Sequence, residues 1–170
     1  MKVEASNPLA KRHPLAGLVA WIAVTFLAAA AGALASLDAR AFYASLSLPP
    51  WAPPASVFGP VWSVLYAMMA VAAWLAWRRA PLASAPATWS LFFAQLVANA
   101  AWSWLFFSRH LGLAASVDVV ILEALIVATL VAFWRLRPLA GALLLPYAAW
   151  VAFASLLTLS VWQRNPSLLG

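Results

Sequence analysis

Few residues in this chain are equipped for chemistry, and they are unevenly placed. Two carboxyls, Asp118 and Glu123, lie inside a long apolar run. Ionisable groups at that depth in hydrocarbon are costly and as a rule functional. Five residues apart on a helix, they point about 140° away from each other, so they do not form a simple paired acid/base site. Glu123 has three readings at this level: a protonated group buried against a neighbouring helix, a group facing a second subunit, or a proton carrier. Both histidines, His13 and His110, fall outside the apolar runs, and there is no cysteine. Disulfides, thiolate metal sites and cysteine nucleophiles are therefore excluded, and neither a metal centre nor histidine-ligated haem is expected.

The remaining chemistry is aromatic. Residues three, four or seven apart share a helix face. Trp62, Tyr66 and Met69 form one such face. Gln95, Asn99, Trp102 and Phe106 form a second, and Tyr147, Trp150 and Ala154 a third. At 1.5 Å per residue, Trp62 starts near one surface, Asn99 lies roughly 12 Å below it and Trp150 roughly 18 Å below. Converging faces of this kind would make an apolar pocket with one or two polar groups, and Tyr43, Trp51 and Trp62 would stand near its mouth. Such a pocket suits a flat, conjugated, hydrophobic ligand. Trp77, Trp89, Trp134 and Trp162 fall at the ends of apolar runs, where tryptophans gather whatever the function.

These faces need elements that live in lipid. Of 170 residues, 66% are hydrophobic and 8% charged, against roughly 25% charged in soluble domains. Five stretches meet the requirement of about 20 apolar residues for a spanning helix: Leu15 to Leu37, Phe58 to Trp77, Thr88 to Phe107, Gly112 to Trp134 and Leu139 to Trp162. The expected fold is an all-α membrane protein, a bundle of five transmembrane helices. Its expected parts are a tail over residues 1–14, a membrane domain over 15–162 and a C-terminal tail over 163–170.

The net charge of +6 does not point to nucleic acid, because the basic residues sit at the ends of the spans. Lys2, Lys11, Arg12, Arg78, Arg79, Arg135 and Arg137 lie on one side, and Arg40, Arg109 and Arg164 on the other. That asymmetry predicts a cytoplasmic N-terminus and an inner membrane. The first run is longer than the apolar core of a secretory signal, which favours an uncleaved helix.

Loop 38–57 carries Leu48-Pro49-Pro50-Trp51-Ala52-Pro53-Pro54 and leads to Phe58-Gly59-Pro60-Val61-Trp62. Proline at this density stiffens a chain and removes hydrogen bonds, so the loop reads as a rigid lid. Pro146 should bend the fifth span, with Gly141 and Ala142 permitting close approach there. The small pairs Ala28/Gly32 and Ala94/Ala98 permit tight helix contacts, within the bundle or between two copies.

Taken together, these residues resemble the TspO/MBR family of tryptophan-rich sensory proteins and translocator proteins. The resemblance rests on Pro50-Trp51-x-Pro53-Pro54, Gly59-Pro60-Val61-Trp62-x-x-Leu65-Tyr66, Asn99-x-x-Trp102, Phe106-Phe107 and Asp118. It extends through Pro146-Tyr147-x-x-Trp150-x-x-Phe153-Ala154 and Val161-Trp162-x-x-Asn165. It implies a five-helix bundle, commonly a homodimer, that binds porphyrins such as protoporphyrin IX without a required cofactor. It implies that such a protein senses, sequesters or transports them. The positions it carries over to a pocket beneath the first loop are Tyr43, Trp51, Trp62, Asn99, Trp102, Trp150 and Ala154. Two alternatives accompany it: light-dependent porphyrin degradation, with Trp62 and Trp150 as the candidate residues, and proton-coupled transport of hydrophobic ligands through Glu123. Leu159 and Gln163 replace the tyrosine and the basic residue of the animal cholesterol motif, which argues against high-affinity cholesterol binding. An acid at Glu123 is a second departure from the family pattern.

Overall fold

A computed structural model describes residues 13–170; the basic residues Lys2, Lys11 and Arg12, and most of the 1–14 segment, lie outside the described residues. Among the described residues all regular structure is helical. The elements are α1 (Pro14–Leu34), α2 (Ala39–Ser45), α3 (Phe58–Trp77), α4 (Pro86–Ser103), α5 (Gly112–Leu136), α6 (Pro138–Ala142), α7 (Leu145–Arg164) and α8 (Pro166–Leu169). A π-helical turn, Trp104–Ser108, continues α4. Five segments are long and apolar enough to cross a membrane, α6 and α7 together making the fifth.

Proline sets where helices begin. It occupies the first or second position of α1, α4, α6, α7 and α8, where its missing N–H would have had no partner anyway. Pro146 does more than bend the fifth span. The helix stops at Ala142 and restarts at Leu145, with Leu144 N–H bonding the Gly141 carbonyl at 2.9 Å across the break. A Cβ on Gly141 would stand 2.8 Å from Trp134 Cα, so only glycine lets α6 approach the end of α5 this closely. At the far end of α4, Leu111 N–H bonds the Leu105 carbonyl at 2.9 Å while His110 adopts φ 54°. Histidine thus takes the left-handed conformation that commonly ends a helix and where glycine is usual, with the closing bond one residue wider because the last turn is π-helical.

The spans pack in the circular order α1, α4, α5, α6–α7, α3 and back to α1. Their outward faces carry exposed Leu15, Val19, Leu27, Val64, Val97, Val120 and Leu156, which is lipid-facing surface. The inner face of α3 is Met69, Ala70, Ala72, Ala73 and Ala76, all fully buried. The alanines there let neighbouring helices approach α3 closely. Gly32 faces Ser103 of α4, so the Ala28/Gly32 edge serves packing inside the bundle. Trp104 Nε1 donates to the Ala31 carbonyl at 3.1 Å, tying the π turn to α1. Trp104→Phe should remove that bond alone and lower stability by about 1 kcal/mol, read from denaturation midpoints in detergent.

Three features differ from the sequence expectation. Trp89, in the first turn of α4, faces the bundle rather than lipid: it is buried, stacked on Trp21 at 4.8 Å and edge-on to Phe92 and Phe133. The 38–57 loop is partly helical, through α2 and a 3-10 turn at Ala55–Val57. The 163–170 segment is folded rather than a tail. Asn165 and Leu169 are buried, and Leu169 packs with Leu46 and Tyr43 of the loop in one apolar cluster.

Candidate functional site

Beneath α2 and the proline loop lies a cavity of about 560 Å³. Its walls come from α1 (Phe26, Ala29, Gly32, Ala33), the loop (Ser36, Arg40, Tyr43, Ala55), α3 (Phe58, Trp62, Tyr66) and the end of α4 (Asn99, Trp102, Phe107). The volume lies within the usual range of small-molecule sites.

Each wall has a local cause. The π turn widens the end of α4 and turns Phe106 and Phe107 towards α2, where Phe42 meets both edge-on. Trp102 stacks on Phe106 at 5.4 Å with planes 10° apart, which fixes its ring. Trp62 is held between Tyr66 and Tyr147, at 5.9 and 6.1 Å. Apart from Phe26, the α1 wall is alanine and glycine, so the space exists because that helix carries little bulk there.

The lid is pinned at several points. Tyr43 donates its hydroxyl to the Pro53 carbonyl at 3.0 Å, and burial pushes its phenol pKa up, keeping it a donor. Tyr43 also meets Phe58 edge-on at 5.5 Å. Asn165, beyond α7, accepts from Ser47 N–H at 2.8 Å and donates to the Ser47 carbonyl at 3.1 Å and the Val161 carbonyl at 2.7 Å.

Below the cavity a chain of hydrogen bonds crosses three spans. Tyr66 donates to Asn99 Oδ1 at 2.6 Å. Asn99 Nδ2 donates to Tyr147 Oη at 2.9 Å, and Tyr147 donates to Gln95 Oε1 at 2.9 Å. All four residues are buried. Polar groups at that depth are stable only when paired.

Of the residues singled out from the sequence, the cavity brings together Tyr43, Trp62, Tyr66, Asn99 and Trp102. Tyr147 is fully buried behind it. Trp150 stands behind Phe58, edge-on at 6.0 Å. Trp51 is about half exposed and covers Phe153 at 5.7 Å. Ala154 is half-buried on α7. These four are not on the cavity wall: the wall facing α3 and α4 is α1, where the sequence reading had placed the fifth span. The contributions of Phe26, Gly32, Arg40 and Phe58 were missed. Their one sequence signal was the small-residue edge Ala28/Gly32, which marks a close-approach face but not a cavity.

The intramembrane carboxyls stand away from this site. Asp118 lines a shallow depression with Leu111, Val117 and Ile121. Glu123 lines a larger outward trough between α5 and α7, with Val127, Arg135, Ala152 and Ser155. Facing different grooves, they share no reacting position. The cavity wall is thus largely aromatic and apolar, and neither intramembrane carboxyl lies on it.

Fold and site together define an integral, multi-pass helical membrane protein with an aromatic cavity roofed at one end. The TspO/MBR family signature matches residues 19–163. The human translocator protein is 39% identical over 132 residues, covering 76% of this chain and 78% of its own length. The tryptophan-rich protein TspO of Chlorobaculum tepidum is 39% identical over 129 residues, 74% of this chain and 80% of its own. Protein CrtK of Rhodobacter capsulatus is 35% identical over 150 residues, 85% of this chain and 92% of its own. The chain belongs to the TspO/MBR family.

Proposed function

We propose that this protein binds a flat, apolar tetrapyrrole of the protoporphyrin IX type, which it senses, sequesters or transports across or within an inner membrane, with its N-terminus in the cytoplasm. The observation that carries the reading is the cavity wall: Phe58, Trp62, Tyr66, Trp102 and Phe107 surround about 560 Å³ of space that contains little polar surface. Aromatic rings on several sides offer a large planar ligand both apolar burial and oriented ring contacts.

Titrating protoporphyrin IX into the protein in nanodiscs, with tryptophan fluorescence as the readout, tests this. Saturable quenching is expected. Trp62→Ala should weaken binding about five- to twentyfold, the size of a lost aromatic contact with its burial. Trp150→Phe should change it less than about threefold, because Trp150 reaches the cavity only through Phe58. Quenching that never saturates, or equal losses in the two variants, would overturn the assignment of this cavity.

A further inference from the structure

Arg40 is the single formally charged residue on the cavity wall. It lies in the first turn of α2, on the rim, and its side chain is exposed. Among the described residues no carboxylate pairs with it. Asp38, two residues earlier, caps nothing with its side chain. Several other polar groups nearby are engaged: the Ser36 hydroxyl donates to the Gly32 carbonyl at 3.0 Å, and the Ser63 hydroxyl to the Gly59 carbonyl at 2.9 Å, whereas the buried Trp102 indole N–H has no partner. Tyr43 donates to Pro53, and Asn99 is held by Tyr66 and Tyr147. An occupant of this space therefore meets aromatic rings on its body, with the Trp102 N–H as a neutral donor, and one charged group, the Arg40 guanidinium, at its edge.

A guanidinium keeps its charge at any physiological pH and offers a planar fork of donors that matches a carboxylate. Beside apolar walls such a charge-assisted pair is stronger than between neutral groups. We infer that Arg40 makes this cavity selective for acids: the preferred ligand is a planar apolar molecule whose carboxylate arm reaches the rim and pairs with Arg40, while neutral ligands of the same shape bind more weakly. Applied to the tetrapyrrole reading, on which this rests, the arm is a carboxylate side chain of the macrocycle.

The test compares protoporphyrin IX with its dimethyl ester, and pyrenebutyrate with its methyl ester, on the wild-type protein, Arg40→Gln and Arg40→Lys in nanodiscs. The acid-to-ester ratio is compared between variants, which cancels partitioning of each compound into lipid. The wild-type protein should favour each acid by about tenfold. Arg40→Gln should bring the acid-to-ester ratio down to about one. Arg40→Lys should keep part of the preference, since it retains charge without the fork. An acid preference that is absent, or that survives Arg40→Gln, overturns the inference. Should neither porphyrin bind, the tetrapyrrole reading fails by itself and the pyrene pair decides. An acid preference lost in Arg40→Gln then still supports the role of Arg40, and no preference or no binding removes it.

Discussion

Asn165→Ala should be the most damaging single polar substitution in this protein, lowering stability by about 2–4 kcal/mol. The side chain makes three hydrogen bonds, two to Ser47 and one to Val161, and is buried. Each bond is worth only about 1 kcal/mol net, but the truncation also leaves the part-buried N–H and carbonyl of Ser47, and the buried Val161 carbonyl, without this side-chain partner, and orphaned groups cost about 1–3 kcal/mol each. The denaturation midpoint in detergent should fall by roughly 5–15 °C, on the scaling of about 2–4 °C per kcal/mol for a chain of this size. Hydrogen exchange at the Ser47 amide should accelerate with it, because that N–H loses its only side-chain acceptor and the lid loses its tie to the end of α7. Asn165→Asp keeps the shape and should be no better, since two of the three bonds need the amide N–H groups and a carboxylate would face two carbonyl oxygens. A stable Asn165→Ala variant with unchanged exchange would mean that the apolar cluster around Tyr43, Leu46 and Leu169 holds the lid unaided.

Asn99→Leu is expected to cost about 2–3 kcal/mol. Leucine has the branched shape of asparagine but more bulk, so the loss combines the missing hydrogen bonds with some overpacking. The Tyr66 hydroxyl would lose its acceptor and the Tyr147 hydroxyl the Asn99 N–H it accepts from, both in the bundle interior. Interhelical hydrogen bonds in membrane proteins average below 1 kcal/mol and reach about 1.7; the higher figure here reflects two bonds and the hydroxyls left behind. A double-mutant cycle with Tyr66→Phe isolates the pair. The two changes together should fall short of the sum by about 1 kcal/mol, as removal of both partners leaves no orphan. Strict additivity in thermal or denaturant unfolding would show that Tyr66 and Asn99 do not stabilise each other.

Much of this architecture was legible in the chain. Apolar runs of about 20 residues can satisfy their backbones in lipid only as helices, so the five spans follow from composition and length alone. The proline positions follow from local sterics, which is why the start of α3 and the interruption at Pro146 could be read directly. Helical periodicity likewise placed Trp62 with Tyr66, and Asn99 with Trp102, on single faces, and all four face the cavity.

The neighbours of those faces were not legible. A one-dimensional pattern says which residues share a face but not which face it meets, and in a hydrophobic bundle nearly every face is apolar enough to be inside. Trp89 and Trp150 show the consequence. Each sits on a plausible tryptophan position, yet one is stacked in the core and the other stands behind Phe58. Only the circular packing order, with α1 set between α3 and α4, decided that the alanine and glycine of α1 would leave a cavity open opposite Trp62 and Trp102.

The two carboxyls divide the same way. Their sequence spacing excludes a shared acid/base site, because helix geometry turns them about 140° apart. That Asp118 and Glu123 open onto separate outward grooves, away from the aromatic cavity, depends on long-range helix contacts. By itself the sequence determined five membrane-spanning helices, a proline-rich loop and the aromatic faces, since these follow from local sterics and from the chemistry of lipid. The tertiary structure alone decided which faces meet, that Asn165 stitches the lid to the end of α7, and that one free arginine stands at the rim of the cavity. Those are contacts between residues far apart in the chain, and no local pattern encodes them.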